Sequence, residues 1–176
     1  LRAGCCILDI GGESTRPGAK EVSSSNEIER VVGVIKEIKK YVPSAIISID
    51  TRKALVAEKA LKAGASIVND ISAGSFDKKM FNIVAKYKAG ICLMHSKGLP
   101  ENMQNAPYYD NVLLDIYDYL EEKISEAESK GVSREKIMID PGIGFGKSLG
   151  HNVEIIKNAS LFLGLGCPLM IGLSRK

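Results

Sequence analysis

The sequence predicts an α/β fold built on a parallel sheet, from three observations. Six short apolar runs alternate with longer stretches of helical periodicity. The runs are nearly continuous in Ile, Val and Leu, and each ends on a polar residue. Continuous apolar runs mark strands buried on both faces, as in parallel sheets. Polar residues gathered at the C-terminal ends of parallel strands sit where barrel enzymes place their active sites, so the pattern is that of a catalyst.

The first run, residues 5–10, leads into a segment of small residues, 11–19. Ser24 to Glu27 has capping-box spacing, and Ile28, Val31, Val32, Ile35 and Ile38 then mark one helical face. The second run, 45–50, ends on Asp50, and the Ala- and Leu-rich stretch 52–63 stops at Gly64, a helix C′ glycine. The third run, 66–70, ends in Asn69-Asp70; a helix over about 77–87 follows, ended near Gly90. The fourth run, 91–95, ends on His95. From about 108 to 130, Leu113, Ile116, Leu120, Ile124 and Ala127 form a stripe closed by Gly131. The fifth run, 136–140, ends on Asp140, a last helix covers about 152–162, and the sixth run, 168–174, ends on Ser174. Regular alternation predicts βαβ units around a parallel sheet. A closed barrel takes eight strands and about 250 residues. With six strands in 176 residues, pattern alone favours an open doubly wound sheet over a barrel cut at both ends.

Composition is that of a single globular domain: 45% hydrophobic, 26% charged, net charge +3. The charge is too small to point to nucleic acid, and lysines such as Lys36, Lys39 and Lys40 read as solvated helix faces. Cys5, Cys6, Cys92 and Cys167 form no C-x-x-C pair and lie in or beside apolar runs, so buried reduced thiols are expected. No apolar stretch of about 18 residues and no charged-then-apolar leader is present, so the expectation is a soluble cytoplasmic protein with no membrane partner.

Asp50, Asn69 and Asp140 each close a strand, and on a parallel sheet their heads converge on one rim. A carboxylate accepts two parallel N–H bonds, so Asp140 suits an amidine- or guanidine-like edge; Asn69 offers a donor and an acceptor to a heterocycle. Asp50, ahead of Thr51-Arg52-Lys53, also reads as a helix N-cap. Asp140 precedes Pro141, which holds it extended, and then a loop with glycines at 142, 144 and 146. That loop fails as a phosphate cradle. A Walker loop needs glycine at 141, which is Pro, and a dinucleotide fingerprint needs glycine at 147, which is Lys. Glycines around Phe145 suit a loop folding over a flat ligand. Arg16 in the 11–19 segment and Lys176 after Ser174-Arg175 are cations able to reach an anion. His95 is a weaker candidate for a general base, because no triad partner accompanies it. Met94 reads as packing under a ring.

These residues reach a family. The chain resembles the dihydropteroate synthases, pterin-binding enzymes of the folate pathway, over its whole length. The matching blocks cover 9–19, 49–51, 68–71, 93–95, 102–104, 140–147 and 172–176. The resemblance overrides the open-sheet preference. It implies a TIM-type (β/α)8 barrel, of which this chain would hold about strands two to seven, as one pterin-binding domain truncated at both ends.

It also implies a transferase that condenses 4-aminobenzoate with 6-hydroxymethyl-7,8-dihydropterin diphosphate, releasing 7,8-dihydropteroate and diphosphate. By position, Asp50, Asn69, Asp140 and Lys176 would hold the pterin, with Met94 against it. Thr15, Arg16, Pro17, Phe145 and Ser174 would lie near the aminobenzoate. Asp50, Lys176 and Arg16 would be catalytic, and sulfonamides would compete for the pocket. Loss of diphosphate would come first, leaving a cationic methylene that the arylamine attacks, with the Asp50 carboxylate stabilising that charge. The family's first strand, with its magnesium ligand, and its final Arg-x-His strand are absent from this sequence. Mg2+ is thus expected with a ligand outside the chain, and no metal ligand within it. A homodimeric parent is expected, and an isolated 176-residue piece inactive and poorly soluble, with strands two and seven as open edges. Alternatives are a pterin-binding methyltransferase domain and an inactive pterin-binding module.

Overall fold

A computed structural model of the chain describes residues 4–14, 19–97 and 107–173. Five strands, β1 (Ile7–Gly11), β2 (Ile46–Asp50), β3 (Ile67–Asp70), β4 (Gly90–Met94) and β5 (Ile137–Asp140), alternate with α1 (Ser24–Tyr41), α2 (Ala54–Ala63), α3 (Met80–Tyr87) and α4 (Val112–Ser129); α5 (Leu149–Lys157) follows. All strand pairs are parallel, and spatial order equals sequence order. A doubly wound sheet reverses its order at a switch point; these strands never do, which is the winding of a barrel. The open sheet favoured by pattern alone is therefore corrected, because strand order leaves no trace in periodicity. The sixth expected strand shrinks to one bridge, Leu169 against Ile139, with N–H bonds from Ile139 to Pro168 and from Met170 to Ile139.

The near-continuous runs resolve into two faces. Ile47, Ile49, Val68, Ile91, Leu93, Ile137 and Ile139 are buried against the helices, together with Ile35, Val56, Ala60, Met80, Phe81, Ile116 and Leu120. The alternate positions carry Ser48, Asp50, Ile67, Asn69, Cys92, Met94, Met138 and Asp140 on the barrel's inner face. On β1 that face is open: Ile7 is 40% exposed.

Several helix starts differ from expectation for nameable reasons. α1 is capped by Ser23, whose hydroxyl accepts the Asn26 N–H, while Glu27 is buried and bonded elsewhere. α2 starts at Ala54, whose N–H is taken by the Asp77 carboxylate, so Asp77 caps the preceding helix in the ring and α3 begins only at Met80. α3 ends at Lys88 in the left-handed region, and Gly90 instead opens β4. α5 starts earlier than expected, with Ser148 and His151 forming a capping box. Cys92 and Cys167 are buried free thiols, but Cys5 and Cys6 are exposed, because they precede β1 rather than lie within it. Among the described residues no helix is long and apolar enough to cross a membrane.

Candidate active site

Strand register assembles the rim. Asp50 pairs with Gly11 on one side and Asn69 on the other, Asn69 pairs with Cys92, and Met94, two residues on, pairs with Asp140. Two-residue steps keep a side chain on the same face, so Asp50, Asn69, Met94 and Asp140 share the inner face at the C-terminal end of the sheet. Neither Asp50 nor Asp140 caps a helix: Lys53 and Ser148 stand at those positions. The Asp50 carboxylate leans over Gly11, where an added Cβ would meet Asp50 Oδ2 at 3.5 Å.

Below the rim, Asn69 Nδ2 donates to Asp9 Oδ2 at 3.1 Å, while Asn69 Oδ1 is buried and has no hydrogen-bond partner among the described residues. Asp9, Ser48, Asn69, Cys92 and Met138 border a cavity of about 220 Å3 within the barrel. Asp9 was not among the residues singled out from sequence; its signal was parity, two residues before Gly11 on the face of Asp50. The neighbouring Asp70 serves the backbone instead. It is fully buried on the helix side and accepts from the Ser72 N–H, the Ser72 hydroxyl and the Gly74 N–H, fixing the turn after β3.

Asp140 Oδ1 accepts the Gly142 N–H at 2.7 Å, and its Oδ2 lies beside Gly172. Burial pushes the Asp140 carboxyl up to about 6, against the Gly142 hydrogen bond and the nearby Lys147 charge. Gly142 and Gly146 both have φ near +70°, and a Cβ on either would strike the backbone carbonyl of His95 or Lys97. Only glycine lets this loop lie against the strand beside it. Lys147 is buried beneath the loop, its Nζ in reach of His95 Nδ1 at 2.9 Å, the His95 carbonyl at 3.2 Å and the Phe145 carbonyl at 2.9 Å. Burial pulls the Lys147 ammonium down to about 7, with Asp140 opposing. His95 is driven down to about 3 by burial and by the Lys147 charge, and its ring stands edge-on to Tyr119. A neutral, enclosed imidazole of that kind is not the general base weighed from sequence.

At the other end of the rim, Glu13 closes the segment that carries Arg16. Its carboxylate accepts the Val22 N–H and binds Arg52 and Lys53. Lys53 also meets Glu27, which accepts the Thr51 hydroxyl, and Arg30 donates to the Gly12 carbonyl. Thr15, Arg16, Pro17, Ser174 and Lys176 lie outside the described residues. Phe145 is half-buried in the glycine loop. No group of three or more His, Cys, Asp or Glu able to hold a metal ion occurs among the described residues.

Known proteins match this chain over its length. A dihydropteroate synthase of Escherichia coli K12 is 42% identical over all of the chain, which spans 62% of its length. The solved structure of a Yersinia pestis dihydropteroate synthase with a sulfonamide drug superposes with a TM-score of 0.96 at 40% identity, covering 100% of this chain and 63% of that one. A Clostridium difficile dihydropteroate synthase solved with pteroic acid gives 0.91 at 42%, covering 99% and 64%. The chain thus spans less than two thirds of these relatives. The family model described as pterin binding enzyme matches residues 1–176, so the chain belongs to the pterin-binding enzymes.

Proposed function

We propose that the protein carrying this chain is a dihydropteroate synthase. It would join 4-aminobenzoate to 6-hydroxymethyl-7,8-dihydropterin diphosphate with loss of diphosphate. The observation that carries the reading is the shared inner-face row of Asp50, Asn69 and Asp140, with one Asn69 oxygen buried and unpaired among the described residues. A buried acceptor without a donor is costly, and a heterocyclic N–H relieves it. The relatives' bound pteroic acid and sulfonamide support the same pocket.

In this reading Asp140 receives the two N–H groups of the aminopyrimidine edge, and Asn69 the adjoining ring atoms, above the methionine floor of Met94. Asp50 stands at the far side of the rim, where its charge stabilises the methylene that becomes cationic as diphosphate departs. The arylamine attacks that carbon and loses a proton. Thr15, Arg16, Pro17, Phe145 and Ser174 border the aminobenzoate, and Arg16 and Lys176 supply positive charge toward the anions. Magnesium belongs with the diphosphate, its expected ligand on a strand outside this sequence. A cytoplasmic homodimer completes the proposal.

The test is Asp50→Asn in the full-length protein, assayed for condensation and for binding of 6-hydroxymethylpterin. Turnover is expected to fall by at least about 100-fold with pterin affinity kept within about threefold, as for loss of a charge used mainly in the transition state. Methyl transfer from a methylated pterin without condensation would instead favour a methyltransferase. A wild-type protein that binds pterin and does neither would be a binding module.

A further inference from the structure

Lys147 is a lysine with 3% of its surface exposed, and the reaction above gives it no role. An ammonium has three N–H donors, and this one has three acceptors: His95 Nδ1, the His95 carbonyl and the Phe145 carbonyl. Two come from the residue just past β4 and one from the glycine loop after β5, so a single charged group ties the two strand ends together. The surroundings suit it. His95 is held neutral by burial, so its Nδ1 can accept from the Lys147 ammonium, Tyr109 donates to the Gly146 carbonyl at 2.8 Å, and Gly142 and Gly146 lack the Cβ atoms that would strike the His95 and Lys97 carbonyls. The other titratable and charged groups packed here are Asp140 on β5, Cys92 on β4, Lys97 beyond β4, Tyr109 before α4, Tyr119 on α4 and His151 on α5. Among the described residues packed here, Asp140 carries the one carboxyl.

We infer that Lys147 is a positioning residue for the pterin site: its ammonium staples the Phe145 loop to the end of β4 and supplies the counter-charge that keeps the Asp140 carboxylate ionised to receive the pterin's donor edge. The inference rests on the pterin reading above and deepens it. Burial alone favours a neutral Asp140, and a protonated carboxyl offers one donor where the ligand also offers donors. Lys147 opposes that protonation without touching the ligand.

The test is 6-hydroxymethylpterin affinity from pH 5 to 8.5 in the full-length protein, for wild type, K147M, D140N and the double variant. Wild-type affinity is expected to decline below about pH 6, tenfold per unit once Asp140 protonates. K147M should move that acid limb upward by about one unit. The result is a roughly fivefold loss at pH 6, approaching tenfold by pH 5, that closes by pH 8, and the added loss should vanish in the D140N background. Superimposable profiles for wild type and K147M overturn the inference while leaving the pterin reading intact. So does a wild-type profile flat from pH 5 to 8, which needs no variant to fold. Wild type that binds no pterin at any pH overturns both.

Discussion

Two charged clusters hold the feet of two loops at the same rim, and they are tuned in opposite directions. Under the loop that carries Arg16, two acids (Glu13, Glu27) meet two bases (Arg52, Lys53) within hydrogen-bonding reach. Burial works against charge there too, yet hydrogen bonds from Lys53, Val22 and Arg52 hold the Glu13 carboxyl below its ordinary value, and Glu13 and Glu27 hold the Lys53 ammonium above its own. Under the glycine loop, Asp140 and Lys147 form no ion pair within 4.0 Å; burial wins, and each is pushed toward its neutral form. The first cluster balances two acids against two bases without a ligand, although Arg52 Nε is buried and unpartnered among the described residues. The second leaves Asp140 and Lys147 unpaired with each other, on the same rim as a buried Asn69 oxygen that has no partner among the described residues, which is how a binding site differs from a brace.

The largest expected effect comes from breaking the brace. Glu13→Gln leaves Lys53 and Arg52 sharing one acid in a buried setting, and chemical denaturation should show a loss of about 3–5 kcal/mol. Glu13 is lowered in the fold, so the stability it lends is present above its unfolded value of 4.5 and lost as pH falls through the lower folded value. The wild-type advantage over the variant should therefore shrink in acid; an equal gap at pH 7 and pH 3 would break the contrast between the clusters.

Asp140→Asn should do the opposite. The folded carboxyl is raised from 3.8 to about 6, so its stabilising share is full below 3.8 and gone as pH rises through about 6. Above pH 6 the variant, which keeps an oxygen for the Gly142 N–H, should be more stable than wild type by about 1–3 kcal/mol without ligand. The smallest expected effect is at Gly146. Its Cβ would strike the Lys97 carbonyl, so Gly146→Ala must shift the loop, and pterin affinity should drop about three- to tenfold with little change in the pH midpoint.

Asp50, Asn69 and Asp140 were legible in sequence, since a polar residue closing an apolar run at fixed parity needs no tertiary information to be placed on a rim. The residues that brace the rim were not. Glu27 has the spacing of a capping-box acid, and only the fold reveals that Thr51 and Lys53, from the β2–α2 connection, claim its carboxylate. Lys147 follows Gly146 like the lysine of a failed phosphate loop; what buries it arrives from His95, 52 positions away. Asn69 was singled out and its neighbour Asp70 was not, and strand parity gives the reason: one side chain turns inward and the other braces a turn. Strand order, and with it the choice of barrel over open sheet, was carried by resemblance and by no local pattern.

The most direct test of this account is a melting series for the wild-type and D140N full-length proteins from pH 5 to 8, each with and without 6-hydroxymethylpterin. The expected result is a crossing: D140N is the more stable unliganded protein above pH 6, and pterin raises the melting temperature of wild type alone. A variant less stable than wild type at every pH, or one that pterin stabilises as much as wild type, would contradict the claim that Asp140 is a buried charge kept for a ligand.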